Sequence, residues 1–292
     1  MPGASSRWFT PRAWPANVDF GDAALATADP EFDFSNVDAV IFYLPPLQEV
    51  FLEGSQGTVD SGLDRPFRTT EGLIPAFSVI GKYFDQPHKT NWSAWVHYTL
   101  IWMGMPQLLD ARSNRNAAPR DIPIGDMSGW DIMSTQDGPN RQLSGWLRLL
   151  LNWIETDQVY CKALENTDRI QLSLIPVGEA SSKLKFVGVR ISDTKLVGIE
   201  SRRLDKRFDC EGQGSIKTEG VIVYIVNTER GHTDGDTLSL VPPPGRSLRS
   251  NSCSSPPLVD PVMTAGEFVD VLGVRIKVLA TNRYDFIEIT RP

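Results

Sequence analysis

His97 is the residue around which this sequence comes nearest to metal chemistry. Residues 97 to 110 read His-Tyr-Thr-Leu-Ile-Trp-Met-Gly-Met-Pro-Gln-Leu-Leu-Asp. On a helix, positions i and i+4 share one face. Two imidazoles at that spacing can hold one zinc ion while a glutamate just after the first reaches the metal-bound water as general base. Here the spacing is kept and the donors are missing. The i+4 position is Ile101, which has no lone pair, and the glutamate position is Tyr98, a phenol with an ordinary pKa of about 10 and a poor base at neutral pH. A catalytic zinc takes about three protein ligands plus a water, so one imidazole leaves it without its chelate. The other two histidines, His88 and His232, lie in loop-like sequence away from helical spacing to His97. A rebuilt site would need His88, His97 and one acid among Asp110, Asp126 and Asp131. The reading favoured for His97 is a histidine on a buried helix, hydrogen-bonded to backbone or to an acid.

The elements that must position these residues come next. Trp92, Trp95, Val96, Thr99, Leu100 and Met103 recur at three- and four-residue intervals from Asn91, and Gly104 with Pro106 supplies a stop, which predicts a buried helix. A second helix is predicted by Leu143, Trp146, Leu147, Leu150, Leu151 and Ile154, with a Gly/Pro/Asp/Asn-rich irregular connector before it. Upstream, residues 22–28 are compatible with a short helix, residues 37–44 read as a strand closed by Pro45 and Pro46, and residues 52–72 read as a long loop. Beyond residue 165 helical period gives way to short strand-like runs at 170–175, 185–191, 195–199, 221–226, 237–241, 274–279 and 286–289. Turn residues separate them, which predicts an antiparallel β-sandwich. The expected class is therefore α+β, with one domain over 1–164 and a β-sandwich over 165–292.

Composition narrows the partners. Over 292 residues there are 29 basic and 36 acidic side chains, a net charge of -7, so no basic excess exists to neutralise a phosphate backbone and nucleic acid is excluded as a partner. No apolar run reaches the roughly 18 residues needed to cross a bilayer. The first residues, Met1-Pro-Gly-Ala-Ser-Ser-Arg7, carry no basic start followed by an apolar core, so compartment has to be argued from other features. Cys161, Cys210 and Cys253 form no Cys-x-x-Cys pair. A Cys210–Cys253 disulfide would close a loop of about 42 residues and remove several kcal/mol of unfolded-state entropy; three unpaired thiols are the competing reading. Gly231-His-Thr-Asp-Gly-Asp236 alternates oxygen donors as a calcium turn does, without the full twelve-residue pattern, and a plain β-turn is the simpler reading. Arg202 and Arg203 beside Glu200 suit a carboxylate ligand or, more simply, a charged strand end or an interdomain ion pair. No nucleophile elbow, Walker loop or dinucleotide fingerprint is present.

Taken in order, several segments resemble one family. His97, Gly104, Pro106, Leu108 and Asp110 fit the spacing H-E-x-x-H-x-x-G-x-P-x-L-x-D of the zinc helix in the immune-inhibitor-A-like metallopeptidases. Trp130-Asp-Ile-Met-Ser134 resembles the family's W-D-x-M-S segment, and Leu143-Ser-Gly-Trp146 with Leu151-Asn-Trp-Ile154 resembles its L-S-A-W helix. Ile199-Glu-Ser-Arg-Arg203, Gly220-Val-Ile-Val-Tyr224 and Gly273-Val-Arg-Ile-Lys-Val-Leu279 are similar to segments of the β domain that follows the peptidase domain. The resemblance implies a shortened zincin-like α/β domain ahead of the sandwich, in a protein secreted or held at the cell surface. Its departures at Tyr98 and Ile101 imply a catalytically inactive member with no zinc or other cofactor, kept for a binding or structural role toward a protein or peptide partner. Asp110, Trp130, Asp131 and Met133 then mark the former site region, with Trp130 and Met133 as core packing. Two alternatives stand beside this: an active zinc-dependent endopeptidase with rearranged ligands, and a cell-surface assembly module whose Trp92, Trp95 and Trp102 need a partner surface.

Overall fold

In the computed structural model the described residues are 13–43, 55–58, 67–74, 76–80, 91–108, 127, 129–134, 141–203, 205, 209, 219–230, 237–246, 248–251, 254–259 and 261–292. They form a mixed α+β protein, mostly sheet with few helices. The chain gathers into two units, Met1–Met103 and Gly104–Pro292.

The first unit holds helix α1 (Ala13–Ala28), strand β1 (Ala39–Tyr43), strand β2 (Ser55–Thr58), the short hairpin β3 (Phe67–Arg68) and β4 (Leu73–Ile74), strand β5 (Ala76–Ile80) and helix α2 (Asn91–Trp102). β5 is central, parallel to β1 and antiparallel to β2. Leu25, Phe67 and Ile74 are buried together, with Phe34, Val37, Val40 and Phe42 packed around them. Two expectations shift here. The first helix is far longer than residues 22–28, and the stretch read as loop at 52–72 contributes β2 and β3. Helix α2 forms where expected but buries a different face. Ser93, His97 and Leu100, at helical spacing, are covered, whereas Trp95, Val96 and Met103 are exposed. A helix apolar on nearly every side gives periodicity no means of choosing which side packs.

The second unit begins with a buried turn around residues 129–134 and helix α3 (Gly145–Leu150), followed by strands β6 (Val159–Ala163), β7 (Arg169–Leu174), β8 (Phe186–Arg190), β9 (Lys195–Arg202), β10 (Gly220–Asn227), β11 (Leu238–Leu240), β12 (Leu248–Asn251), β13 (Ser254–Val259), β14 (Phe268–Val271), β15 (Val274–Thr281) and β16 (Asp285–Thr290). One sheet runs β11-β10-β9-β8-β6 and another β14-β15-β16-β7, with β12 and β13 as a separate hairpin. Pairing is antiparallel except between β6 and β8. Val187, Val189, Val197, Ile199, Val221 and Val223 of the five-stranded sheet share one apolar core with Leu174, Val269, Ile276, Val278, Ile287 and Ile289 of the four-stranded sheet.

Strand alternation then decides the site. Successive side chains point to opposite faces, so with Ile199 and Ser201 turned to one side of β9, Glu200 and Arg202 face the other. Val221 and Val223 likewise send Ile222 and Tyr224 to the opposite face of β10. Both faces are covered, which is why these strands read as almost unbroken apolar runs. Among the described residues no helix is long and apolar enough to cross a membrane.

Candidate functional site

On α2, His97 is 1% exposed and its ring meets Tyr98 edge-on at 5.5 Å. Tyr98 is itself buried and packed by Ile101 and Trp102. Burial pushes its phenol up to about 12, because a phenolate there would lose its hydration. On the helix, the imidazole therefore has a neutral phenol as its sequence neighbour, in the position where a general base would stand. Among the described residues there is no cluster of three His, Cys, Asp or Glu side chains able to hold a metal ion. His88, His232, Asp110 and Asp126 lie outside the described residues, as do Cys210, Cys253 and the 231–236 turn. Cys161 is a free, exposed thiol.

In the second unit, segments far apart in sequence converge. Trp130, Asp131 and Met133 are all buried. Their turn is closed locally: Trp130 N donates to Met127 O at 2.6 Å, and Ser134 Oγ accepts from Gly129 N at 2.9 Å while donating to Asp131 O at 2.8 Å. Asp131 Oδ1 accepts from Met133 N at 2.8 Å, and Oδ2 accepts from Ser144 N at 2.6 Å. Burial raises the Asp131 carboxyl to about 6 against those two N–H bonds and the Arg202 charge, which pull it down.

Ser144 is the N-cap of α3, and its side chain accepts from Leu147 N. The next amides, orphaned by helix geometry, are taken by β9 and β10. Gly145 N donates to Glu200 Oε2 at 2.5 Å, and Trp146 N donates to Tyr224 Oη at 3.2 Å. Tyr224 in turn donates to Glu200 Oε2 at 2.8 Å, and Arg202 Nε donates to Glu200 Oε1 at 2.5 Å. Glu200 and Arg202 are both fully buried. Burial first, and the Glu200 charge second, hold the Tyr224 phenol well above its ordinary value.

Two glycines make the approach possible. A Cβ on Gly145 would meet Glu200 Oε2 and Phe186 Cδ2, each at 2.9 Å, and a Cβ on Gly198 would meet Tyr224 Cε2 at 2.6 Å. On the other face of β9, Arg203 forks onto Asp285 at 2.9 and 3.1 Å, and Ser201 Oγ donates to the same carboxylate at 2.6 Å. Arg202 and Arg203 are therefore engaged in ion pairs at the end of β9, with Glu200 and Asp285 of the same β-rich part of the chain rather than between two domains. The network spans the segments 130–134, 143–146, 199–203 and 220–224. Sequence reasoning singled out those segments one by one and did not join Ser144, Tyr224 or Asp285 to them. The usable signal was a charged pair at i, i+2 inside an apolar strand.

The chemistry of this arrangement is anchoring. Glu200 and Asp131 receive donors that a short helix and a tight turn must place somewhere, and both carboxylates are directed at backbone amides. Comparison with protein-family models, curated proteins and solved structures yields no match for the chain.

Proposed function

We propose that this protein is a metallopeptidase-like chain without peptidase chemistry, retained for binding or structural duty outside the cell. The observation that carries the reading is the state of the general-base position. Tyr98 is buried against Ile101 and Trp102 with its phenol pushed up to about 12, so it holds its proton throughout the range in which a peptidase works. The imidazole beside it is covered too, and the position one turn on is hydrocarbon. The convergence of the resembling segments on one anchoring network supports their being kept for architecture. Compartment and family follow from the resemblance of those segments. A binding role is supported by Trp95, Val96 and Met103, large apolar side chains left exposed along α2.

The test is elemental analysis of the purified protein together with a casein cleavage assay. The expected result is zinc far below one ion per chain and no chelator-sensitive cleavage. Stoichiometric zinc with cleavage abolished by a chelator would establish the active enzyme with rearranged ligands instead. Light scattering that shows self-association, reversed by Trp95→Ser, would favour the assembly role within the binding class.

A further inference from the structure

Tyr284 lies in the turn that joins β15 to β16, and two cations converge on it. Lys183 Nζ donates to its Oη at 2.9 Å and stands 4.3 Å from the ring centroid, while the Arg283 guanidinium lies 5.5 Å from the same centroid. The backbone on both sides is tied down. Asn282 Oδ1 accepts from Tyr284 N at 3.2 Å, Asn282 O accepts from Arg203 Nη2 at 2.6 Å, and the next residue, Asp285, is buried and engaged by Arg203 and Ser201. On the loop before β8, Lys183 N donates to Ser181 Oγ at 3.2 Å, and Ser181 O accepts from Gln158 Nε2. Glu179, from the same loop, reaches Arg283 at 3.9 Å.

A phenol oxygen that accepts from an ammonium has its anion favoured over its neutral form. The Lys183 hydrogen bond first, and the charges of Arg283 and Lys183 after it, hold the Tyr284 phenol below its ordinary value, with desolvation and Glu179 opposing. The phenols of Tyr98 and Tyr224 are buried and pushed the other way, and Tyr160 packs against the sandwich core. Tyr284 is only partly covered, which leaves its oxygen within reach of a reagent. A reachable phenol with a favoured anion is a nucleophile.

We propose that Tyr284 is a nucleophilic phenol and a modification site for activated sulfonyl donors, with Lys183 steadying the phenolate oxygen. In the reaction the Tyr284 oxygen attacks sulfur and forms an O–S bond. The bond from sulfur to the leaving group breaks, that group departs with the electron pair, and the phenol proton passes to water. The site belongs to the second unit and does not depend on the peptidase reading.

The test treats the full chain with benzenesulfonyl fluoride from about pH 6 to about pH 10 and reads the labelled residues by peptide mass spectrometry. Tyr284 is expected to be the phenol labelled fastest. In Lys183→Gln its curve of rate against pH should move to higher pH, with a loss of about threefold or more in rate near about pH 7.5. Lys183→Arg should restore most of that rate, and Lys277→Gln, which removes an exposed cation elsewhere on β15, should leave the curve as in the parent. A contact that is merely structural would lower the melting temperature of Lys183→Gln and leave the pH curve in place, which overturns the proposal. Faster labelling of another phenol, or of Lys183 itself, overturns it as well.

Discussion

At the scale of single residues, the buried charges make the sharpest demands. Arg202 and Glu200 are both fully covered, so removing one strands the other. Arg202→Met is expected to cost about 3 to 5 kcal/mol, and the double variant Glu200→Gln/Arg202→Met measurably less, because no lone charge remains. Urea unfolding of the two variants distinguishes this from a simple loss of contacts, in which the double variant would be the worse. Asp131 gives a pH signature. Its folded-state value of about 6 lies above the ordinary 3.8, so the folded protein holds this proton more tightly than the unfolded chain. The resulting stabilisation is fully present below about pH 4 and is lost as pH rises through about 6. The unfolding free energy of the parent relative to Asp131→Asn should therefore fall by about 2 kcal/mol between pH 4 and pH 7; a difference independent of pH refutes the assignment. Little of this was legible beforehand. Trp130 and Met133 announced themselves as core by type, but nothing in the run Trp-Asp-Ile-Met-Ser indicates that the Asp131 carboxylate reaches Ser144.

Among the elements, α3 shows where pattern reading succeeds and where it stops. Leu143 to Ile154 carries a helical apolar period, yet the helix ends at Leu150. Asn152 adopts a left-handed backbone with φ 56. Its N–H bonds Leu149 O at 3.1 Å and the N–H of Trp153 bonds Arg148 O at 2.8 Å, which closes a Schellman end. A hydrophobic period records which side chains face inward; the stop was written in one asparagine, a residue tolerant of that conformation. Asn152→Gly is expected to leave the thermal midpoint unchanged or slightly higher, whereas Asn152→Ala should cost about 1 kcal/mol. Equal losses in both would mean that the Asn side chain, not its backbone, ends the helix. The strands were read with better success because β-branched runs between turn residues leave few alternatives. All seven expected runs lie on strands, and β9 runs on to Arg202 past the expected end at 199, carrying its charged pair inside. Missing from the reading were β6, β14 and the β12–β13 hairpin. β6 alternates only weakly, and Pro256 and Pro257 within β13 argue against a strand on sequence grounds.

For the molecule as a whole, the mixed α+β class with antiparallel sheets was legible, whereas the pairing of distant segments was not. Helical period ahead of residue 165 and short strand-like runs beyond it gave the mixed class, and composition gave the net charge of -7. The anchoring network depends on how β9 and β10 pair, and no local pattern encodes that. This arrangement bears on the order in which the chain acquires structure. Helix α3 spans six residues, too short to persist alone in water, and its first amides bond partners 55 and 78 positions further along. Closing spans of that length must precede any gain from those bonds. In pulse-labelled hydrogen exchange during refolding, the amides of Gly145 and Trp146 should gain protection only together with, or after, those of β9 and β10. Earlier protection of the helix would show that it nucleates by itself. If the order holds, a ribosome must release both strands before the first turn of α3 has anything to fasten to.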